Sequence, residues 1–201
     1  IAENGMGKDT GWTVIDSDVT GGSYDGSLRL DGGWYTVELR GIDASGNVIT
    51  STSLDRIGVG EILITAGQSN SANSGSGKLQ ALNDFVMAYS PTSGWVHAED
   101  PLPIATGSGG SPWTALGDLL SDELGVPVGF YNVGWGGTRV DQWLPDAVDN
   151  STSDSYANLY DRLATAIADL GGEFAGILWH QGESDAGAGT STADYAARLL
   201  E

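Results

Sequence analysis

The stretch Glu61-Ile62-Leu63-Ile64-Thr65-Ala66-Gly67-Gln68-Ser69-Asn70 decides how the rest of the chain is interpreted. Its apolar residues follow one another instead of alternating with polar ones, which predicts a strand buried on both faces. Gly67 permits a sharp turn directly after the strand. We therefore expect Ser69 at the carboxyl end of a buried strand, where open α/β sheets bind ligands. The alternative is a plain polar turn in which Ser69 or Asn70 caps the next helix.

Two later segments are also predicted to be buried strands, and a distinctive loop follows each of them. Residues 126–133 precede Gly134-Trp135-Gly136-Gly137-Thr138. Residues 174–179 precede His180-Gln181-Gly182-Glu183-Ser184-Asp185. Because the carboxyl ends of parallel strands share one edge of a sheet, the three loops are expected to meet there.

Amphipathic helices are predicted between the strands. The first begins at Ser111-Pro112-Trp113, with Ser as N-cap and Pro at the first helical position, and Gly125 ends it. The second is capped by Ser153 or Asp154. Its apolar stripe consists of Leu159, Leu163, Ile167 and Leu170. Strands that alternate with helices predict a three-layer α/β/α fold with a parallel sheet.

Residues 1–57 differ in pattern from residues 58–201 and are predicted to form a separate, small all-β segment. Nearly alternating stretches at 12–15, 27–30 and 34–40 predict half-buried antiparallel strands. Residues 43–47 are expected to join 37–41 to 48–51 as a hairpin. At the other end, residues 192–201 begin an amphipathic helix in which the chain stops, so we expect the C-terminal part of the α/β fold to be missing.

The charge composition restricts the partners of this protein. The 201 residues include 27 acidic and 8 basic side chains, a net charge of -19, and no cysteine. Such a surface repels phosphate backbones and anionic membranes, so we expect neither nucleic acid nor a membrane as a partner. The shortage of lysine is typical of salt-loving proteins, although an acidic secreted protein is an alternative. A secreted or periplasmic location is our expectation.

The three loops carry the parts of a nucleophilic active site. Ser69 is a nucleophile if a base removes its proton. The glycines at 136 and 137 let backbone N–H groups approach a ligand oxygen, and Gln181 offers a side-chain N–H. Together these residues are the components of an oxyanion hole that faces a serine.

These three blocks resemble the SGNH (GDSL-type) hydrolase superfamily, whose fold is flavodoxin-like. Within it they resemble the branch of sialate O-acetylesterases and carbohydrate esterase family 6, which carries Gly-Gln-Ser-Asn and a later His-Gln-Gly-Glu. The similarity spans roughly residues 58–201. It implies that Ser69 is the nucleophile and that an oxyanion would be held by Ser69, Gly136 or Gly137, and Gln181. It also implies that Glu183 and His180 orient neighbouring groups, with Glu183 as a candidate acid of a triad.

The chain departs from this family in one respect. The family supplies an Asp and a catalytic His three residues apart in its last block, whereas this chain has only His97 and His180 and no Asp-x-x-His. His97 is expected to be a surface residue of a polar loop. A truncated chain with an incomplete active site is the simplest expectation.

The resemblance implies hydrolysis of an acetylated carbohydrate without metal or organic cofactor. We expect Asn70, Trp135 and Thr138 to contact the substrate. The alternative is a non-catalytic carbohydrate-binding or surface module that kept the fold. A group of acidic and amide side chains lacks the spacing of a calcium-binding EF-hand loop, and a solvated acidic surface is the preferred interpretation. These are Asp141, Asp146, Asp149, Asn150 and Asp154.

Overall fold

The computed structural model describes residues 7–147 and 158–201. Contacts between residues divide the chain into two compact units. The first contains the residues up to Gly60 together with Gly125–Pro127, and the second contains Glu61–Leu124 and Val128–Glu201.

The first unit contains one antiparallel hairpin, formed by β1 (Gly33–Ile42) and β2 (Val48–Val59). The predicted turn is present, because Ile42 pairs with Val48 and Asp43 accepts hydrogen bonds within the connection. The strands predicted at 12–15 and 27–30 are wrong, since neither stretch forms a strand. Their side chains are mostly exposed, so these stretches lack the buried face that would favour pairing.

The second unit is built on a five-stranded sheet that is mostly parallel. Its strands are β3 (Glu61–Gly67), β4 (Val86–Ser90), β5 (Gly94–His97), β6 (Val128–Asn132) and β7 (Gly176–His180). Their spatial order is β5-β4-β6-β3-β7, and only β5 is antiparallel to its neighbour. The strand that precedes Ser69 is therefore central, with β6 and β7 on either side of it. The loops predicted to meet consequently leave three adjacent strands.

Helices cover both faces of this sheet. On one side, α1 (Trp113–Leu124) packs its apolar residues with Phe130 of β6. On the other side, α2 (Leu159–Asp169) packs with Tyr131. Consecutive residues of a strand point to opposite faces, so these two apolar clusters lie on opposite sides of the sheet. The mixed α/β fold with a mostly parallel central sheet agrees with the sequence prediction.

The helix boundaries show how local sequence sets each element. Gly125 follows α1 as predicted, with a φ of 66° that favours glycine. Asn158 caps α2 by accepting a hydrogen bond from the Asp161 N–H at 2.8 Å. The caps predicted at Ser153 and Asp154 lie outside the described residues. Two further helices, α3 (Glu183–Ala188) and α4 (Thr192–Leu200), follow β7.

None of the helices within residues 7–147 and 158–201 combines the length and apolar character needed to cross a bilayer.

Candidate active site

Ser69 lies two residues beyond the end of β3, in a turn that depends on glycine. Gly67 has a φ of 125°, and a Cβ added there would approach the carbonyl oxygen of His180 to 2.1 Å. No side chain fits between these two backbones, so β3 and β7 stay close up to the turn. Ser69 follows half-buried, while Asn70 is exposed. The turn thus presents Ser69 at the carboxyl edge of the sheet, as predicted.

The glycine loop after β6 lies directly against this serine. The Trp135 N–H donates to the Gly67 carbonyl at 2.8 Å, which ties the loop to the end of β3. A Cβ added to Gly136 would lie 3.9 Å from the Cβ of Ser69. The Gly136 N–H itself donates to the Thr106 hydroxyl at 2.7 Å. Gly137 has a φ of 78° and is exposed. The structure therefore brings Ser69 and Gly136 together and adds Thr106, which sequence reasoning missed.

Three polar residues form an exposed cluster next to Ser69. The Asn70 side-chain amide donates a hydrogen bond to Glu183 Oε1. His180 Nε2 lies 3.7 Å from the same carboxylate oxygen, and the two side chains are 51% and 46% exposed. The predicted residues Glu183 and His180 are thus neighbours, and Asn70 links them to the turn that carries Ser69.

The side-chain amide of Gln181 has other hydrogen-bond partners than its predicted role in the oxyanion hole requires. Its side-chain nitrogen lies 2.6 Å from Asp185 Oδ2, 2.9 Å from the Thr138 carbonyl and 3.2 Å from Gln68 Oε1. An amide carries two hydrogens, so these three acceptors use both of them. In this conformation Gln181 offers no N–H to a ligand at Ser69. The side chain instead ties the loop after β7 to the rest of the domain.

Asp185 is the buried acceptor in this arrangement. Its carboxylate is 2% exposed and also accepts a hydrogen bond from the Val140 N–H at 2.9 Å. It therefore connects α3 to the short 3₁₀ helix Val140–Trp143 that follows the glycine loop. Residues of the predicted block 180–185 therefore have different roles. Glu183 faces the site, whereas Asp185 faces the interior.

Gln68 is a second residue whose importance the sequence reasoning missed. Its side chain is 4% exposed, and its oxygen accepts from the backbone N–H groups of Ser184 at 2.9 Å and Gly182 at 3.4 Å. It also accepts from Gln181. Its backbone N–H donates to the His180 carbonyl at 3.1 Å. Gln68 thereby fixes the loop that carries Glu183 relative to Ser69. A glutamine flanked by the strand-ending glycine and the serine is the signal that could have revealed this.

Two of the predicted substrate contacts have different surroundings. Thr138 is 1% exposed; its hydroxyl donates to the Trp135 carbonyl and accepts from the Trp143 indole N–H. This burial corrects the expectation that Thr138 touches the substrate.

Trp135 is half-buried, with the guanidinium of Arg162 4.7 Å from its ring centre. Arg162, another missed residue, also donates to the carbonyls of Val133 and Ile104.

His97 lies away from this site. It is half-buried in β5, at the far edge of the sheet, where its ring approaches the Asn83 carbonyl and the Gln80 amide. It pairs with Met87, near the amino end of β4, so it lies toward the edge opposite Ser69. The predicted polar surface loop is therefore wrong for His97, because Gly94–His97 forms a strand. Among the described residues, no cluster of three His, Cys, Asp or Glu could hold a metal ion.

The chain was compared with curated proteins and with solved structures. No curated protein matches the chain. A protein of known X-ray structure from Arabidopsis thaliana is 24% identical, with a TM-score of 0.49, over 70% of this chain and 66% of its own. A carbohydrate acetylesterase from Xanthomonas citri is 17% identical, with a TM-score of 0.44, over 71% of this chain and 36% of its own. The chain thus spans slightly under two thirds of the length of the Arabidopsis protein and about a third of the length of the Xanthomonas protein.

The family comparison is decisive. The model of the family "carbohydrate esterase, sialic acid-specific acetylesterase" matches residues 59–201, which is more than two thirds of the chain. This range contains all five strands of the mostly parallel sheet and all three loops at its carboxyl edge. The chain therefore belongs to the carbohydrate esterase family of sialic acid-specific acetylesterases.

Proposed function

We propose that this protein is a serine esterase that removes acetyl groups from a carbohydrate, such as an acetylated sialic acid or xylan unit. The observation that carries the proposal is the meeting of Ser69, Gly136 and the Asn70–Glu183–His180 cluster at one sheet edge of an acetylesterase-family domain. A nucleophile, a nearby acid and base, and backbone N–H groups are what acyl transfer requires.

The reaction proceeds through an acyl-enzyme. Ser69 Oγ forms a bond to the ester carbonyl carbon while its proton passes to a base, and the carbonyl π electrons move onto oxygen. The resulting oxyanion is stabilised by the Ser69 N–H and by further hydrogen-bond donors beside the glycine loop. Collapse of this intermediate expels the sugar hydroxyl, which takes up the proton. Water then attacks the acetyl-serine and releases acetate, so protein groups alone supply the chemistry.

His180 is our candidate for the base among the two histidines of the chain. It terminates β7 in register with Gly67, two residues before Ser69, whereas His97 lies toward the other end of the sheet. The Glu183 carboxylate lies 3.7 Å from Nε2, where the acid of a triad orients the imidazole. Catalytic hydrogen bonds are often longer before substrate binds, so this spacing is compatible with a triad.

Acetate release from acetylated sialic acid and acetylated xylan tests the proposal. Wild type should release acetate, and Ser69→Ala should lose this activity while its circular dichroism spectrum stays unchanged. Ser74→Ala, which removes an exposed hydroxyl in the adjoining loop, is the matched control and should keep activity. Wild type that binds the sugars without releasing acetate would contradict the esterase and favour the carbohydrate-binding module instead.

A further inference from the structure

Thr106 occupies a position between the serine loop and the glycine loop, at the base of the proposed active site. Its backbone N–H donates to the Gly134 carbonyl at 3.1 Å, and its carbonyl accepts from the Asn73 N–H at 2.9 Å. It therefore joins the segment after Ser69 to the segment before Gly136. Thr106 is half-buried, so a ligand at the exposed Gly136 can reach its side chain.

A buried asparagine holds the backbone that carries Thr106. Asn73 is 1% exposed, and its side-chain amide donates to the carbonyls of Leu102 and Ala105 at 2.9 Å and 3.1 Å. Its side-chain oxygen accepts from the Leu102 N–H at 2.8 Å. With both side-chain functions and the backbone engaged, Asn73 fixes the position of Thr106 before substrate arrives. Such prior ordering is what a donor to a transition state needs.

The Thr106 hydroxyl and the Ser69 side chain both lie close to Gly136. A Cβ built on Gly136 is 3.5 Å from Thr106 Oγ1 and 3.9 Å from Ser69 Cβ, so both atoms lie within 4 Å of one point. The Gly136 N–H, which the sequence predicted as an oxyanion donor, is already bonded to this hydroxyl at 2.7 Å. A ligand oxygen at Ser69 therefore meets the glycine N–H only through Thr106 or by displacing it.

The hydrogen bonds that the Thr106 hydroxyl can still make decide whether a ligand oxygen bonds to Thr106 or displaces it from Gly136. A threonine hydroxyl accepts hydrogen bonds through its lone pairs and donates one through its proton. Within residues 7–147 and 158–201, Thr106 Oγ1 accepts from Gly136, and no acceptor for its proton is found. Accepting from a backbone N–H polarises the hydroxyl and strengthens the hydrogen bond that it donates. The proton is thus available to a ligand.

We propose that Thr106 is a catalytic residue of the oxyanion hole, with its hydroxyl donating to the substrate oxygen and Gly136 supporting it from behind. The inference rests on the proposed esterase function and fills the place that Gln181 leaves. As Ser69 Oγ bonds to the carbonyl carbon, the π electrons become a lone pair on oxygen. Thr106 donates to that oxygen and keeps its proton, and the Ser69 proton goes to the base.

Steady-state kinetics on an acetyl ester tests this role. Thr106→Val removes the hydroxyl while keeping the branched shape, and it should lower kcat at least about tenfold with a smaller change in KM, because the oxyanion forms only along the reaction path. Thr106→Ser should restore most of the lost turnover. Thr52→Val, an exposed site in β2, is the matched control. A Thr106→Val enzyme with unchanged or increased kcat, or with a change confined to KM, would overturn the proposal.

Acetate binding separates this proposal from the esterase function itself. Acetate presents an anionic oxygen to the same donors, so titration of the isotope-labelled protein should shift the Gly136 amide resonance. The affinity should fall in Thr106→Val and persist in Ser69→Ala. This pattern without ester cleavage would contradict the esterase and keep the Thr106 site. Acetate that binds wild type and Thr106→Val equally, or binds neither, would overturn the assignment of Thr106.

Discussion

At the residue scale, a single atom, the side-chain oxygen of Gln68, holds several groups of the site in place. It accepts from the N–H groups of Gly182 and Ser184 and from the Gln181 amide. These bonds hold the start of α3, and with it Glu183, beside the Ser69 turn. An apolar side chain of similar size would leave two backbone donors without this acceptor.

Replacing Gln68 by Leu should destabilise the domain and impair the site. We expect unfolding to become easier by about 1–3 kcal/mol, the usual cost of an unsatisfied buried donor. Urea unfolding measures this loss, and the turnover of an acetyl ester should fall as well, because Glu183 is no longer held in place. Gln80→Leu, on an exposed glutamine, is the matched control. Equal stability of the two variants would contradict the role given to Gln68.

Glu183 should affect turnover more than folding. Its side chain is 46% exposed, so Glu183→Gln should leave the melting temperature nearly unchanged. The substitution removes the negative charge beside His180, and we expect kcat to fall about tenfold or more because the imidazolium loses its stabilising partner. Glu173→Gln, at an exposed position before β7, is the control, because it changes the net charge by the same amount as Glu183→Gln. Identical kcat values in the two variants would remove Glu183 from the mechanism.

At the scale of secondary structure, the turn between β1 and β2 contains a pH-sensitive contact. Asp43 accepts from the Asn47 side chain at 3.0 Å and from the backbone N–H groups of Asn47 and Ser45 at 2.8 Å and 2.9 Å. The Asn47 side-chain hydrogen bond, followed by the backbone ones, lowers the pKa of Asp43 below 3.8. The ionised carboxylate thus stabilises the turn.

The sign of this effect follows from linkage. Because the folded pKa of Asp43 is lower than the unfolded one, its stabilisation is present above about pH 3.8 and is lost as the pH falls through the folded pKa. Asn47→Ala should raise the pKa of Asp43 toward 3.8, as measured by NMR titration of the Asp43 side chain. Thr50→Ala, an exposed change in β2, should leave it where it is. An unchanged pKa in Asn47→Ala would show that the backbone donors alone set it.

The strands that sequence predicts well are those with a continuous apolar run. Residues 61–66, 126–133 and 174–179 correspond to β3, β6 and β7, and a glycine follows each of the first two runs. By contrast, β4 owes its place in the sheet to β6, which is distant in sequence, and β5 joins the sheet only through β4. Sequence pattern does not contain that information, since strand stability depends on the surroundings.

The roles of side chains in the site also divide into those that local sequence predicts and those that depend on distant contacts. The position of Ser69 is predictable because a strand end and a glycine turn are local features. Gln181, by contrast, bonds to Gln68 and to the Thr138 carbonyl, which are distant in sequence and which folding brings together. Local sequence therefore locates the edge where chemistry occurs, and only the folded arrangement distinguishes residues that face a ligand from those that hold the loops.

At the scale of the whole molecule, the net charge of -19 dominates the response to salt. The Debye length falls from roughly 10 Å at 0.1 M to about 3 Å at 1 M, so repulsion between carboxylates is screened. Ion pairs that salt would weaken include Arg40–Glu38 and Arg139–Asp141, and both are partly exposed, so each contributes little. We expect the melting temperature to rise between low and molar sodium chloride; a flat or falling curve would argue against self-repulsion as the main term.

The most direct measurement of the central claim is labelling with a serine-directed phosphonate followed by peptide mass spectrometry. An activated serine attacks the phosphorus and keeps the adduct, whereas an ordinary surface hydroxyl does not. We predict one adduct, on the peptide containing Ser69, with labelling lost in Ser69→Ala and much slower in Thr106→Val. An unlabelled protein, or an adduct on another serine, would contradict the identification of Ser69 as the nucleophile.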